Sequence, residues 1–364
     1  MRRTSNGPSC RSDPMPVISS VSNILSSTSR CAAHAPGTHK IGIGAFMLAV
    51  FGILSFIPAH RAVAQRESVS FPVTQQDETT RSMALGGRSP ALLSSDASAL
   101  FSNAALLSTA MHRTVSISYL NHLAGINSGS VAYATTLDSL TTAAIGIRYL
   151  SFGSIERTDE LGNRNGSFSA ADFDLAMSLS RKIITGLRAG ASIHFLRSSL
   201  DDESASALTI DGGLVYEISR KALSFGLVVQ QVGITMSSIG RSDSKPPIDV
   251  RVGMSKRLAH IPLLMSISFF RLNELGEAPD HLSAFGQVMY HTILGSEFQF
   301  SRNFQVRIGY NFRRHDELSL KSRLDFSGVS TGFGLRISNI GIDYGFSSWS
   351  SIGGLHRFTV RTRL

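Results

Sequence analysis

Few side chains in this sequence could act in catalysis, and they are scattered. His194, His291 and His356 lie in segments with strand-like alternation, where a membrane hydrolase could place a base near a serine. No carboxylate stands at a fixed spacing to orient these histidines, which favours ordinary structural roles. Ser242-Asp243-Ser244-Lys245 has S-x-x-K spacing, but Pro246-Pro247 follows it directly instead of a helix. A solvated loop is the simpler interpretation of that segment.

Sequence motifs for other reactions are missing. The chain has no H-E-x-x-H, no P-loop and no G-x-G-x-x-G after a strand. Both cysteines, Cys10 and Cys31, precede the expected export cleavage site, so the mature chain would contain no disulfide and no thiolate metal site. We therefore predict that the protein is not an enzyme and needs no cofactor or metal ion.

Charged residues occur on the polar faces of the alternating segments. Inside a barrel, groups of opposite charge most simply pair across the lumen, and a selectivity path for a charged solute is the alternative. The acids are Asp172, Asp174, Asp211, Glu217, Asp249 and Asp343, and the arginines are Arg148, Arg188, Arg251, Arg307, Arg336, Arg357 and Arg361.

The elements that would position these groups are β-strands. Between Phe304 and Phe312 every second residue is apolar, and the residues between them are polar or glycine. A soluble β-sandwich also alternates, but a polar face of glycine, arginine and aspartate opposite large apolar residues indicates a polar lumen and a lipid-exposed exterior. The pattern predicts an all-β fold, a transmembrane antiparallel barrel of about 14 strands with a short N-terminal helical plug. The expected strand starts are 113, 129, 142, 168, 184, 206, 222, 246, 261, 291, 303, 329, 339 and 355.

An even strand number places both ends of the barrel on the periplasmic side. The tight turns Ile218–Lys221 and Ser301–Asn303 then belong to the periplasmic end. The longer polar connections are expected to be extracellular, and they are 153–167, 233–246, 271–290 and 314–328.

The N-terminal region predicts export to the outer membrane. Ile41–Pro58 is an apolar run that follows a basic flank, and Ala62-Val63-Ala64 before Gln65 is a small-x-small cleavage signature. A retained membrane anchor is the alternative. Only 17 % of the residues are charged, against roughly a quarter in soluble domains, and no later apolar run reaches about 18 residues. The net charge of +9 is scattered, so we expect outer-membrane lipid as a partner and no nucleic acid.

A small-residue segment precedes the first strand and predicts the plug. MALGG at 83–87 is followed by DASALFSNAALL at 96–107, a short helical stretch with Ser95 or Asp96 as its N-cap. This segment is too weakly apolar for lipid and too short to fold alone, so we expect it in the lumen beside the inward arginines. Asp96 would pair with a lumen arginine and Asn103 would bond to the wall. The predicted plug and lumen residues are Asp96, Asn103, Arg188, Arg307, Arg336 and Arg357.

The opening of the chain resembles that of the PorV/PorQ family, which belongs to the larger group of fatty-acid-transporter-like outer-membrane barrels. Asp96, Ala97, Asn103 and Ala105 match the family's D-A-x-x-x-x-x-N-P-A element, with Ala104 where proline is usual. The closing segment 332–364 is similar to the end of the PorQ branch.

The resemblance implies an accessory barrel of the type IX secretion machinery, with partners among its proteins or a surface protein. The predicted organisation is an N-terminal extension and signal peptide at 1–64, a periplasmic segment and plug at 65–110, and an outer-membrane barrel at 111–364. A transporter for small hydrophobic solutes and an outer-membrane enzyme are the alternatives. The transporter predicts an apolar site between plug and wall. The secretion role predicts a filled polar lumen and protein-binding loops, and the enzyme predicts a Ser/His pair at one rim.

Overall fold

Fourteen antiparallel strands close into one barrel in a computed structural model that describes residues 71–159, 161–239, 246–279, 282–319, 325–350 and 353–364. Each strand pairs with its neighbours in sequence, and β1 pairs with β14 to close the sheet. The predicted fold class and strand number are confirmed. The strands are β1 Thr114–Asn121, β2 Asn127–Thr136, β3 Thr141–Thr158, β4 Arg164–Ile184, β5 Leu187–Leu200, β6 Glu203–Ile218, β7 Leu223–Ser237, β8 Asp249–Arg257, β9 Leu263–Phe269, β10 Thr292–Gln299, β11 Phe304–Asn311, β12 Val329–Ile337, β13 Ile340–Ser350 and β14 Gly353–Arg363.

The alternation of residue types decides which face of each strand points outward. In β11, Ile308 is 58 % exposed on the outer wall, whereas the neighbouring Arg307 is 1 % exposed inside. The outer wall shows the same apolar character on other strands, as at Ile117 and Ile234. An apolar exterior around polar inward residues is the arrangement expected of a barrel in lipid.

Connection lengths orient the barrel. At the end that holds the start of β1 and the end of β14, the connections span two to five residues, such as 185–186 and 258–262. Connections at the other end include 270–291 and 312–328. Bacterial barrels have short periplasmic turns and longer extracellular loops, so the first end is periplasmic.

Short helices lie in the plug, in the extracellular connections and, at Ser219–Lys221, in a periplasmic turn. The α-helices are α1 Thr80–Ala84, α2 Ala284–Tyr290 and α3 Phe312–Leu318. The 3-10 helices are Pro72–Gln75, Ala97–Phe101, Ala104–Leu106, Thr109–Met111, Leu123–Gly125, Ser219–Lys221 and Leu272–Glu277. None of the helices in the described part of the chain is long and apolar enough to cross a membrane.

Two sequence predictions fall outside the described residues. The signal segment Ile41–Pro58 with its cleavage signature precedes residue 71, and Ser242–Lys245 lies in the gap between residues 239 and 246.

Candidate functional site: the plugged lumen

Residues 71–111, the plug, run down the inside of the barrel. Phe71 packs against Leu196 and Ala205 in the extracellular halves of β5 and β6. Met111, at the other end, lies directly before β1 at the periplasmic end. Nearly all plug side chains are buried. The described part of the segment predicted as periplasmic segment and plug therefore lies within the barrel.

Short polar side chains shape the plug locally. The side-chain oxygen of Thr79 accepts a hydrogen bond from the Ser82 backbone N–H at 3.0 Å and starts α1. The Asp96 carboxylate accepts one from the backbone N–H of Ser98 at 2.9 Å. Such caps satisfy N–H groups at the start of a helical turn that would otherwise be unpaired. Thr79, Asp96 and Asn103 cap three of the plug's five helical turns, and the plug crosses the lumen as separate short turns.

Asp96 and Asn103 differ in what they contact. Within the described residues no arginine lies within 4 Å of the Asp96 carboxylate, so the expected ion pair is replaced by the cap. The Asn103 amide does reach the wall. Its Nδ2 donates to the carbonyl oxygen of Pro90 in the plug at 3.0 Å and to that of Leu227 in β7 at 3.4 Å, while its Oδ1 accepts from the backbone N–H of Ala105.

An ion-pair network joins the plug to strands β10, β11 and β13. Arg81 of the plug donates to Glu297 with N–O distances of 2.7 and 2.8 Å. The same carboxylate accepts from Arg307 at 2.8 Å, and Arg307 donates to Asp343 at 2.6 Å. Asp343 also accepts from Arg361 at 2.5 Å. The two carboxylates thus lie among four arginines, because Arg257 is 3.9 Å from Glu297, and one of the four comes from the plug.

A second network joins the plug to β8. Glu78 of the plug pairs with Arg251, and Arg251 also donates to Asp249 at 2.8 Å. Arg88 of the plug reaches Asp249 at 3.1 Å. Removing one partner of a buried pair leaves an uncompensated charge, at a cost of about 3–5 kcal/mol. Both networks therefore oppose displacement of the plug.

The histidines occupy three different environments. His194 Nδ1 lies 2.9 Å from Asp174 and its Nε2 lies 3.3 Å from Asp211, deep in the lumen wall. His291 is buried with Nδ1 3.0 Å from the Phe270 carbonyl oxygen, and His356 pairs with Tyr344 on the outer wall. No hydrogen bond in the described parts of the chain joins any of these three to a serine hydroxyl.

The four predicted lumen arginines are not equivalent. Arg307 and Arg357 are buried inside the barrel, and Arg357 donates to the backbone carbonyl of Asp77 in the plug. Arg188 Nε donates to the Ala105 carbonyl oxygen at 3.1 Å. Arg336 differs from the expectation. It has the inward register of β12 but is exposed, because the strand ends one residue later at the periplasmic mouth.

Glycine on the inner wall was missed as a functional signal. A Cβ on Gly309 would lie 2.1 Å from the Leu85 carbonyl carbon, and one on Gly190 would lie 2.3 Å from the Ala105 nitrogen. Real Cβ atoms essentially never approach backbone this closely, so the plug backbone occupies space that side chains would need. Plug atoms, from backbone or side chains, lie within 3.0 Å of a Cβ position on glycines of nine strands, at Gly146, Gly190, Gly213, Gly226, Gly253, Gly295, Gly309, Gly332 and Gly345. The sequence does show this feature, because glycine recurs at polar-face positions of the alternating segments.

Two concave sites accompany the plug. A cavity of about 270 Å³ opens at the periplasmic mouth between Leu107 of the plug and a wall that includes Lys182, Arg188 and Glu217. A groove of about 620 Å³ lies on the lipid face of β2 to β6. Among the described residues no group of histidine, cysteine or acidic side chains is arranged to hold a metal ion.

Helices α2 and α3 belong to the extracellular connections. The Tyr290 hydroxyl donates to Glu317 at 2.8 Å, and Arg313 pairs with the same carboxylate. Burial would raise the pKa of Glu317, but pairing with Arg313 holds it below the ordinary value. Large apolar side chains remain exposed in these two connections, at Leu275, Phe285, Val288 and Phe326.

Comparison with solved structures identifies the architecture. A FadL homologue from Pseudomonas aeruginosa is similar with a TM-score of 0.50 and 9 % identity, over 79 % of this chain and 98 % of that one. The fold is that of a FadL-type outer-membrane barrel. The Pseudomonas putida toluene transporter TodX is similar with a TM-score of 0.49 and 13 % identity, over 79 % of this chain and 96 % of that one. The CymD monoaromatic hydrocarbon channel is similar with a TM-score of 0.47 and 11 % identity, over 82 % of this chain and 97 % of that one.

Sequence comparison adds no family. No protein-family model matches the chain, and no curated protein matches it. The predicted location is nevertheless confirmed, because a closed FadL-type barrel of 14 strands with an apolar exterior is an outer-membrane protein. The narrower PorV/PorQ resemblance stays a prediction.

Proposed function

We propose that the protein is an outer-membrane transporter for small hydrophobic solutes. The observation that carries this proposal is a pair of apolar surfaces on opposite sides of one stretch of wall. The outer groove on β2 to β6 is lined by side chains that include Tyr133, Ile145, Met177 and Ile193. A solute that partitions into lipid gains free energy by removing apolar surface from water, and this groove offers it a site within the membrane.

The largest apolar cluster of the plug lies against the inner side of the same strands. Plug residues, among them Leu100, Phe101 and Leu107, pack there on Ala132, Ala144 and other wall residues. The wall between the two surfaces consists mainly of small residues. Ala144, Ser178 and Ser192 face inward, yet their atoms also line the outer groove. Little more than strand backbone therefore separates the two apolar surfaces.

A route through this wall requires neighbouring strands of β2 to β6 to separate locally, because their hydrogen-bond ladders are continuous behind the groove. The ion pairs of Arg81 and Glu78 hold the plug against β8, β10 and β11, on other strands than the groove. The cluster around Phe101 is held mainly by apolar packing and lies behind the groove. Apolar contacts allow repacking more readily than buried ion pairs allow separation. In the proposed transporter the plug remains in place while this cluster rearranges.

Uptake of a hydrophobic fluorescent probe tests the proposal. Cells of a host that lacks its own hydrophobic-solute barrel would express the full chain, and entry of N-phenyl-1-naphthylamine would be followed by fluorescence. We expect faster entry than with empty vector. Ala191→Leu fills the groove and should slow entry several-fold, whereas Ile117→Leu, on the outer face of β1, should not. Entry at the empty-vector rate with wild-type protein in the membrane would contradict the proposal.

An accessory role in secretion is a second candidate, favoured by a specific observation. The lumen is filled by a plug tied to the wall, and exposed apolar side chains lie on extracellular connections, as at Phe285 and Val288. The PorV/PorQ resemblance itself implies a fatty-acid-transporter-like barrel, so a FadL-type fold is compatible with both candidates. Phe285→Ser together with Val288→Ser should reduce surface-attached cargo and leave probe uptake unchanged if this candidate is right.

A further inference from the structure

The two ends of the barrel differ strongly in charge. The periplasmic end comprises residues 112–114, 136–141, 181–188, 217–223, 256–263, 299–304, 336–341 and 361–364. These segments contain twelve lysines and arginines and two acidic residues, a net side-chain charge of +10. The segments at the opposite end, 122–126, 157–165, 200–203, 238–248, 270–291, 312–328 and 351–352, contain nine basic and twelve acidic residues. Within residues 71–364, the excess positive charge is therefore located at the periplasmic end.

Strand register divides these basic residues into two groups. Six have the inward register of their strands and surround the mouth, and we call them the inner ring. Arg188 shows the direction, because it donates to the plug carbonyl of Ala105. Other basic residues, including Arg181 and Lys256, have the outward register and face the lipid headgroups. The inner ring comprises Lys182, Arg188, Arg257, Arg336, Arg361 and Arg363.

Half of the inner ring is left without internal neutralisation. Arg361 pairs with Asp343, and Arg188 and Arg257 lie 3.9 Å from Glu217 and Glu297. The other three, Lys182, Arg336 and Arg363, are exposed and have no carboxylate within 4 Å in the described ranges of the chain. Like charges around one mouth repel one another, and an anionic partner would relieve that repulsion.

The cavity of about 270 Å³ lies inside the inner ring. Lys182, Arg188 and Glu217 contribute to its wall together with hydroxyl groups. Those hydroxyls belong to Ser108, Thr109, Ser139, Thr142, Thr185 and Ser219. Cations and hydroxyls together suit carboxylate groups, which accept hydrogen bonds from both. Leu107 and the rest of the plug close the cavity from above, so it is a recess in a closed end.

We propose that the inner ring is a docking surface for an acidic segment of a periplasmic protein. Lipid headgroups lie outside the barrel wall and cannot reach inward-register side chains such as Lys182 and Arg336. A charged solute in transit does not account for the ring, since the plug fills the lumen above it. A flexible chain with several aspartates or glutamates can place one carboxylate in the cavity and others on the surrounding arginines. This inference does not depend on which solute or secretion role the barrel has.

A labelled acidic peptide tests the docking surface. Fluorescein-labelled hexaglutamate would be titrated with the full-length protein in a neutral detergent, and anisotropy would be recorded at two salt concentrations. We expect saturable binding that weakens as salt rises, because exposed charges are screened beyond about 8–10 Å in 0.10–0.15 M salt. Labelled hexalysine should not bind. Absence of hexaglutamate binding at low salt would overturn the proposal.

Two triple variants with the same charge change separate a localised site from general attraction. The inner variant is Lys182→Gln, Arg336→Gln and Arg363→Gln. The outer variant is Arg181→Gln and Lys256→Gln, of outward register, together with Arg220→Gln in the exposed turn Ser219–Lys221. We expect the affinity for the peptide to fall about tenfold in the inner variant and less than about threefold in the outer one, because each exposed ion pair contributes little free energy. Both sets are exposed, and a heat-modifiable band on gels checks that each variant has folded.

Anionic lipid is the competing ligand for these basic residues, and a vesicle assay distinguishes lipid binding from peptide binding. Phosphatidylglycerol vesicles would be added to the same three proteins in a co-flotation assay. We expect only the outer variant to lose vesicle binding and only the inner variant to lose peptide binding. That result supports two separate surfaces. If both variants lost peptide binding equally, the inner ring would not be a localised site. The proposal would also be overturned if vesicle binding depended on Lys182, Arg336 and Arg363.

Discussion

A single methyl group on the inner wall tests whether plug and barrel form one packed unit. Gly309→Ala would place a Cβ 2.1 Å from the Leu85 carbonyl carbon and 2.2 Å from the Gly86 nitrogen. Both atoms are plug backbone, so no side-chain rotation relieves the overlap. Gly212→Ala is the matched control, because a Cβ there meets nothing within 4 Å and points away from the plug. The two variants differ only in where the same methyl group lies.

The magnitude follows from that geometry. Overpacking a core by one methylene group costs typically about 1–3 kcal/mol, and an overlap with backbone belongs at the upper end of that range. Replacing glycine in a strand interior by alanine removes backbone entropy from the unfolded chain, a gain of roughly 0.5–1 kcal/mol where space is available. That gain is common to both variants, so we expect Gly309→Ala to be less stable than Gly212→Ala by about 2–3 kcal/mol.

The chain carries its own reporter for this experiment. Trp349 is the only tryptophan, and it packs in one cluster with Met83 of the plug. Its fluorescence would be followed during urea unfolding in lipid vesicles, and proteolysis at Arg81 or Arg88 would report release of the plug from a barrel that stays folded. Equal unfolding midpoints, with the plug equally protected in both variants, would refute the idea that wall glycines accommodate the plug.

Three further changes test the wall, the networks and the extracellular end. Ile308→Arg should destabilise the barrel by about 2–4 kcal/mol if it lies near the bilayer midplane, measured by urea unfolding against Ile308→Leu. Glu297→Gln should cost about 3–5 kcal/mol by leaving Arg81 poorly compensated, and Glu297→Asp should cost less. Burial, with Arg357 nearby, lowers the pKa of His122 to about 4. The free energy of unfolding should therefore fall as the pH drops from about 6.5 to about 4. The fluorescence of Trp349 should be quenched over the same pH range, and His122→Gln should abolish that quenching.

Strand number and position could be predicted from the sequence because two faces in different solvents impose period two on the residue types. All 14 predicted starts lie within four residues of the observed ones. The largest deviations are four residues at β4, which begins at Arg164 instead of residue 168, and three residues at β5, β6 and β8. At β4 and β6 the strand begins earlier than predicted, in polar residues beyond the apolar belt, where alternation of hydrophobicity no longer marks it.

The interior of the barrel was harder to predict, because it depends on which groups meet across the lumen. Asp96 was expected to pair with arginine, but a short carboxylate bonds more readily to the backbone N–H two residues later. Asn103 makes the expected contact with the wall, with the carbonyl of Leu227. Arg336 has the predicted register but lies beyond the buried layer. Register is a local property, whereas depth along the barrel depends on how all strands are staggered.

The wall glycines show why the plug limits the ways in which this barrel can work. A plug held only by ion pairs could leave after protonation or at high salt, but here the wall also lacks the side chains that would fill the space behind it. At Gly190, Gly226 and Gly309 the plug backbone takes that space. Loss of the plug would leave buried Arg251 without Glu78 and buried Glu297 without Arg81, and would open a series of cavities along the wall. The proposed sites for solutes and partners therefore lie on surfaces that stay accessible while the plug is in place: the lipid face, the extracellular connections and the periplasmic mouth.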